Sequence, residues 1–200
     1  MRRVVGTAWF VAPEHNGFGV YICIASFFLG GLFGIVSARH IDGAGIEALS
    51  FYLQSFFRLA QDGRLGSPSL VELIWAIFCW PILVIACSIT VAGLALIPAL
   101  LFGRAFLLFF SLSTLLRIIP SASAAFILLG LSVLWSLPAL IALGVQSFQH
   151  ATAQRRGKLE HFRLPPRFTA GILGGFAACL LVDYYVVPVL FSALSHTIVW

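Results

Sequence analysis

An uncharged run of 31 residues, Leu73–Gly103, constrains the fold of this chain more than any other feature. About 20 apolar residues cross a bilayer, so this run is too long for one membrane helix. The apolar character continues past Arg104 to Ile119, which makes the stretch long enough for two. The chain is 60% hydrophobic and 10% charged, and a soluble domain of this size could not bury so much apolar surface. These features exclude a soluble globular enzyme and predict an integral membrane protein.

The same pattern predicts an all-α polytopic membrane helix bundle that forms one membrane domain over residues 1–200. The start Met1-Arg2-Arg3 and the sequence Val36-Ser37-Ala38 would also fit a cleaved signal peptide. However, the segment before the apolar run is long for a signal peptide and contains Glu14, so we expect an uncleaved first helix. The five predicted spans are 17–38, 70–91, 95–118, 123–148 and 168–192.

Between the first two spans, residues 44–61 have the apolar periodicity of an amphipathic helix. Leu53, Phe56 and Phe57 share one side of it, and Glu47 and Arg58 fall on the other. The segment is too polar to cross a bilayer, so we expect it to lie outside the membrane core. Its apolar side is a candidate contact for partner proteins.

The orientation prediction comes from one basic loop, 150–167, which contains a single acid, Glu160. Basic residues gather in cytoplasmic loops, so this loop should be cytoplasmic, and five spans then place the N-terminus inside and the C-terminus outside. Helix 44–61 falls outside the cell. The loop could alternatively bind a cytoplasmic partner or acidic lipid. Its basic residues are Arg155, Arg156, Lys158, Arg163 and Arg167.

The chain has twelve Lys and Arg residues against seven Asp and Glu residues. Because membrane topology accounts for this basic excess, we expect membrane lipid as a partner and no nucleic acid.

Small residues recur every four positions along the first span, at Ser26, Gly30, Gly34 and Ala38. The fifth span repeats the spacing at Gly171 and Gly175. Such stripes allow two helix backbones to approach closely. They predict either a homodimer interface or packing between helices of the same chain.

Two charged residues lie well inside the predicted spans, Arg104 in the third and Asp183 in the fifth. A charge at that depth is costly and indicates a functional site. We therefore predict an intramembrane ion pair between Arg104 and Asp183. In the alternative interpretation Arg104 extends to the interface and Asp183 lies near the outer water. Pro81 and Pro138 lie near the middle of their spans and should bend them.

Catalytic and cofactor motifs are missing from the sequence, which contains no HExxH, GxSxG or Walker A pattern. The histidines are scattered without the spacing of metal ligands. The four cysteines all lie inside apolar runs and are typical of small buried hydrophobic residues. We therefore expect neither enzymatic activity nor a bound cofactor or metal.

The order of elements resembles the stage II sporulation protein M family. The resemblance covers residues 20–150 well and the last span more loosely. In this family pattern a Gly follows the basic residue of the third span, where this chain has Ala105. The segments that carry the resemblance are Phe27–Gly34 at the end of the first span, Tyr52–Phe57 in the amphipathic helix, and Gly93, Pro98 and Leu101–Arg104 in the double span.

This resemblance implies a multi-pass protein of the bacterial cell membrane that anchors septal peptidoglycan-remodelling machinery during engulfment. The partners it implies are the cell-wall hydrolases, stage II sporulation proteins D and P, and the location it implies is the sporulation septum. The alternative function is a permease or membrane subunit of a transporter, which the proline-containing spans, Arg104 and the basic loop favour.

Overall fold

The computed structural model describes residues 17–62, 69–119, 122–129, 131–155 and 166–190. Within these ranges the regular structure is helical, which confirms the predicted all-α helix bundle. The helices are α1 (Gly17–Arg39), α2 (Gly43–Gln61), α3 (Leu70–Ser88), α4 (Gly93–Ile118), α5 (Ala122–Leu129), α6 (Leu131–Arg155) and α7 (Pro166–Leu181), which continues through a π-helical turn (Val182–Val186).

Four of the described helical segments are long and apolar enough to cross a membrane: Gly17–Arg39, Leu70–Ser88, Gly93–Ile118 and Thr169–Leu190. They correspond to four of the five predicted spans. The predicted span 123–148 falls on α5 and α6, with residue 130 outside the described residues. Large apolar side chains, among them Tyr21, Phe28 and Trp75, are exposed around the bundle. Such a surface suits lipid, and the protein is membrane-embedded.

The strongest packing in the described bundle joins α1 to α4. Gly30 lies against Phe102, and further along both helices Arg117 donates a hydrogen bond to the carbonyl of Ala38. The two helices therefore run in the same direction. α6 runs the opposite way beside α4, because Gly144 faces Leu101 and Ala151 lies near Gly93.

The turn between α3 and α4 is as short as the sequence predicts and contains only Ile89–Ala92. The amide of Thr90 donates to the carbonyl of Cys87 over 3.3 Å, and that of Gly93 donates to Thr90 over 2.9 Å. A Cβ on Gly93 would overlap the carbonyl of Cys87. Glycine is therefore needed at this close approach.

Helical structure enters the predicted basic loop 150–167 at both ends, because α6 extends to Arg155 and α7 begins at Pro166. Phe148 and Ala151 are buried. The Phe148 ring lies 2.8 Å from where Gly19 would carry a Cβ. Packing against α1 and α4 thus carries α6 past the apolar run that sets the sequence boundary. Proline is favoured at a first helical position, which accounts for the start of α7.

Candidate functional site

A cavity of about 200 Å³ opens among α3, α4, α6 and α7. Most of its wall is apolar, and its polar side chains are those of Trp80, Arg104, Ser136 and Asp183. Both charged residues that the sequence places inside spans therefore reach the same space. The lining residues are Ala76, Ile77, Trp80, Pro81, Arg104, Val133, Ser136, Leu140, Phe176 and Asp183.

Arg104 enters this cavity from α4. It lies eleven residues after Gly93, which puts it roughly 16 Å from that helix end. Its guanidinium carbon lies 5.2 Å from the centroid of the Trp80 ring, within the range of a cation–π interaction. No hydrogen bond joins the guanidinium to another residue of the described part of the chain.

Asp183 reaches the cavity from the π-helical turn of the fifth span. The amide of Val187 donates to the carbonyl of Val182, a bond that spans five residues and widens the helix at this point. The Oδ1 atom of Asp183 is shielded from solvent. Single π-helical turns within α-helices are frequently found at functional sites.

Two further polar features belong to residues at the cavity wall. Pro81 has no amide hydrogen, so the carbonyl of Ile77 lacks the helical donor that position 81 would otherwise supply. Ile77 itself lines the cavity. The Ser136 hydroxyl donates to the carbonyl of Val133 over 2.9 Å, and its oxygen can still accept a hydrogen bond.

The structure thus places Arg104 and Asp183 around one cavity, whereas a direct ion pair between them stays a prediction. The guanidinium lies over Trp80 inside the bundle rather than at an end of α4. The sequence analysis missed Trp80, Ser136 and the π-helical turn. Pro81 was the available signal for Trp80, since a mid-span proline marks a place where the backbone is irregular.

Of the two small-residue stripes, the one on α1 packs within the chain. A Cβ on Gly30 would lie 2.9 Å from the Cα of Phe102, and one on Gly34 would lie 2.9 Å from the amide nitrogen of Phe110. Ala38 is buried and Ser26 is half-buried. This stripe is therefore occupied by α4 and is not open for a second copy.

The stripe on α7 is different. Gly171 and Gly175 are exposed, and a Cβ on either would meet no described atom within 4 Å. One turn further on, Cys179 is buried. Residues with the same spacing therefore have opposite surroundings on the two helices, and the dimer interface predicted from α7 stays a prediction.

The predicted partner contact on α2 needs correction. Leu53 and Phe57 are 6% and 1% exposed, because both pack against Ile119 at the end of α4. Phe56 is half-buried, with its ring 6.5 Å from that of Phe57. The apolar side of α2 is thus largely covered by the protein itself. The exposed aromatic residues of this helix are Phe51 and Tyr52, which the sequence analysis did not select.

The basic residues used to predict orientation are only partly described. Arg155 is exposed in the last turn of α6, and Arg167 belongs to the first turn of α7. Arg156, Lys158 and Arg163 lie outside the described residues.

In the described part of the chain, no group of three or more His, Cys, Asp or Glu side chains is placed to hold a metal ion. The described cysteines, Cys23, Cys79, Cys87 and Cys179, form no disulfide with one another. No protein-family model, curated protein or solved structure matches this chain.

Proposed function

We propose that this chain is a non-enzymatic membrane scaffold that anchors septal peptidoglycan-remodelling machinery during sporulation. Its partners are then cell-wall hydrolases of the stage II sporulation D and P type, which α2 meets on the outer side of the membrane. This proposal starts from the sequence resemblance to the stage II sporulation protein M family. A surface feature of α2 supports it.

The supporting observation is the exposure of Phe51, which is 74% accessible. Its neighbours one turn away on the helix surface are Glu47, Ala48, Gln54 and Ser55, because positions three and four apart share a face. A large aromatic side chain in a sector that is polar apart from one alanine is suited neither to the bundle core nor to lipid. It is typical of a protein contact, where aromatic residues contribute much of the binding energy.

The neighbouring side of α2 has a different character. Tyr52 is 63% exposed, and Leu59, two turns further on, is also exposed. With the half-buried Phe56 they form an apolar strip beside the buried Leu53 and Phe57. In the proposed arrangement this strip lies on the membrane surface, as in other interfacial amphipathic helices. Phe51 then points into water towards a partner.

The first experiment is deletion of the gene in the native host, scored for forespore engulfment. We expect engulfment to stall and to recover when the intact chain is supplied. Normal engulfment after deletion would contradict the scaffold function.

The second experiment compares Phe51→Ser with the matched control Tyr52→Ser, each in the full-length chain. Wall hydrolases are then quantified after co-purification from the membrane fraction. Burial of a Phe side chain contributes about 1.5–3 kcal/mol, so Phe51→Ser should lower the affinity about tenfold or more. Equal recovery with both variants would remove Phe51 from the partner interface.

A membrane subunit of a transporter is the second candidate function. The cavity that contains Arg104 and Asp183 favours it, since intramembrane charges mark substrate and ion pathways in transporters. The deletion strain separates the two functions. Normal engulfment together with loss of export or uptake of a solute would support the transporter and contradict the scaffold.

A further inference from the structure

The cavity between α3, α4, α6 and α7 contains two charged residues that anchoring of wall hydrolases does not require. It combines a cation from α4 with a carboxylate from the π-helical turn, in a space of about 200 Å³. We propose that this cavity binds a small zwitterionic ligand, whose acid group pairs with Arg104 and whose ammonium group pairs with Asp183.

Arg104 supplies the argument for the acid group. A guanidinium has five N–H donors in a planar fork that matches a carboxylate or phosphate. Its contact with the face of Trp80 satisfies none of them, because an aromatic face interacts with the charge rather than with the individual donors. The donors are left for a molecule inside the cavity. Anionic oxygens are their strongest acceptors.

Asp183 supplies the argument for the ammonium group. A ligand that carried only negative charge would bring that charge beside the carboxylate, at a cost in a medium of low dielectric constant. An ammonium group at the other end of the ligand removes this repulsion. It can also donate to the oxygen of Ser136, a second lining residue. The cavity wall thus contains acceptors suited to a primary ammonium.

The cavity size limits the ligand. A volume of about 200 Å³ in a partly open cavity suits a small solute rather than a macromolecule. Free amino acids and phosphoethanolamine satisfy this limit, and so does the headgroup of phosphatidylethanolamine. The chemistry is shared by these sources, and the experiment below separates them.

The test uses the full-length chain in nanodiscs of phosphatidylglycerol, with Trp9, Trp75, Trp135 and Trp200 replaced by phenylalanine. Fluorescence then reports on Trp80 alone, the ring that contacts Arg104. The soluble probes are phosphoethanolamine, ethanolamine and inorganic phosphate. We expect a saturable change with phosphoethanolamine, with at least tenfold weaker binding of the two single-charge probes.

In Arg104→Gln and Asp183→Asn, binding of phosphoethanolamine should weaken at least tenfold, whereas Arg117→Gln should leave it unchanged. Helix content measured by circular dichroism shows whether the neutral variants fold. If they do not, the conservative variants Arg104→Lys and Asp183→Glu replace them, and we expect each to weaken binding of phosphoethanolamine in part. The proposal of a zwitterionic ligand would be overturned if inorganic phosphate bound as tightly as phosphoethanolamine, or if binding of phosphoethanolamine were unchanged in Asp183→Asn.

A second arm adds phosphatidylethanolamine to the nanodiscs. A change in Trp80 fluorescence with this lipid, but not with the soluble probes, would support the zwitterionic site and assign it to a lipid headgroup. A change with the soluble probe alone would assign it to a free solute. The absence of any change in both arms would overturn the proposal.

Discussion

The Cα atom of Phe102 lies 2.9 Å from the position where Gly30 would carry a Cβ. Two helix backbones can come this close only where the side chain between them is a hydrogen atom. Gly34 repeats the contact one turn later against Phe106 and Phe110. Close backbone packing therefore joins α1 to α4, and most large side chains of α1 are turned outward, although Phe27 is buried with its ring 6.3 Å from that of Phe109 on α4.

Gly30→Ala should destabilise the protein, because the new methyl group has to push α1 and α4 apart. Overpacking of this kind costs about 1–3 kcal/mol, more than the roughly 1 kcal/mol that alanine gains in helix propensity. The melting temperature in detergent measures the effect. Gly103→Ala is the matched control, since a Cβ there meets nothing within 4 Å, and its melting temperature should be unchanged or higher. Equal melting temperatures for both variants would contradict close backbone packing.

Arg117 should stabilise the end of α1. Its Nη1 atom donates to the carbonyl of Ala38, one of the final carbonyls of a helix that lack an internal donor. A hydrogen bond with one charged partner contributes about 1.5–3 kcal/mol when it is sheltered, and less when it is solvated. Arg117→Ala should therefore lower the melting temperature. Arg39→Ala, which removes an exposed Arg at the end of α1 itself, should have a smaller effect, and the reverse order would argue against this bond.

Substitution of Phe57 should destabilise the protein much more than substitution of Phe51. Phe57→Ala opens a space in the buried contact with Ile119 and should cost about 3–5 kcal/mol. Phe51→Ala removes an exposed ring and should change the free energy of unfolding by less than about 0.5 kcal/mol. Unfolding of the two variants in detergent tests this difference. A large loss of stability in Phe51→Ala would show that the ring packs within the protein.

Arg104 and Asp183 should be energetically coupled, either directly or through a ligand between them. Arg104→Gln and Asp183→Asn each leave one charge in the cavity without its counterpart, and removal of one partner of a buried pair costs about 3–5 kcal/mol. The double variant leaves neither charge, so its loss should be smaller than the sum of the two single losses. A double-mutant cycle of unfolding free energies measures the coupling. Glu72→Gln, at an exposed position in the first turn of α3, is the control, and strict additivity would contradict the coupling.

Ser55 and Arg155 should lie on opposite sides of the membrane. Helix α2 contacts the end of α4 at Ile119, and the last turns of α6 contact the other end of α4 at Gly93. Ser55 and Arg155 are both exposed, so a cysteine at either position is accessible. In a background without native cysteines, a membrane-impermeant thiol reagent should label Ser55→Cys from outside intact cells and Arg155→Cys only after lysis. The opposite result would reverse the orientation, and labelling of both from one side would contradict the helix arrangement.

The sequence predicted the helices well, because apolar runs and periodicity report directly on burial and lipid contact. The predicted span 17–38 and helix 44–61 differ from α1 and α2 by one residue each. The end of α6 could not be predicted in this way, since it depends on how Phe148 and Ala151 pack against α1 and α4. Helix ends inside an uncharged run are set by tertiary contacts rather than by composition.

The site was only half predictable for a related reason. Arg104 and Asp183 were found because charge is rare inside apolar spans. Trp80 was not, because an aromatic residue in such a span is ordinary. The stripes on α1 and α7 have the same spacing, yet Gly30 is covered and Gly175 is exposed. Spacing shows that close approach is sterically allowed, but it does not show which helix makes the approach.

The π-helical turn at Val182–Val186 also affects how related sequences should align with this chain. A π turn holds one residue more than the α-helical turn it replaces, so it corresponds to a single-residue insertion in a continuous helix. Deletion of one residue here would restore the regular α-helical repeat, and the residues beyond it would keep roughly their orientation, because the π turn holds the extra residue within a single wider turn. A relative without the π-helical turn should therefore align with a one-residue gap in the region of Val182–Val186.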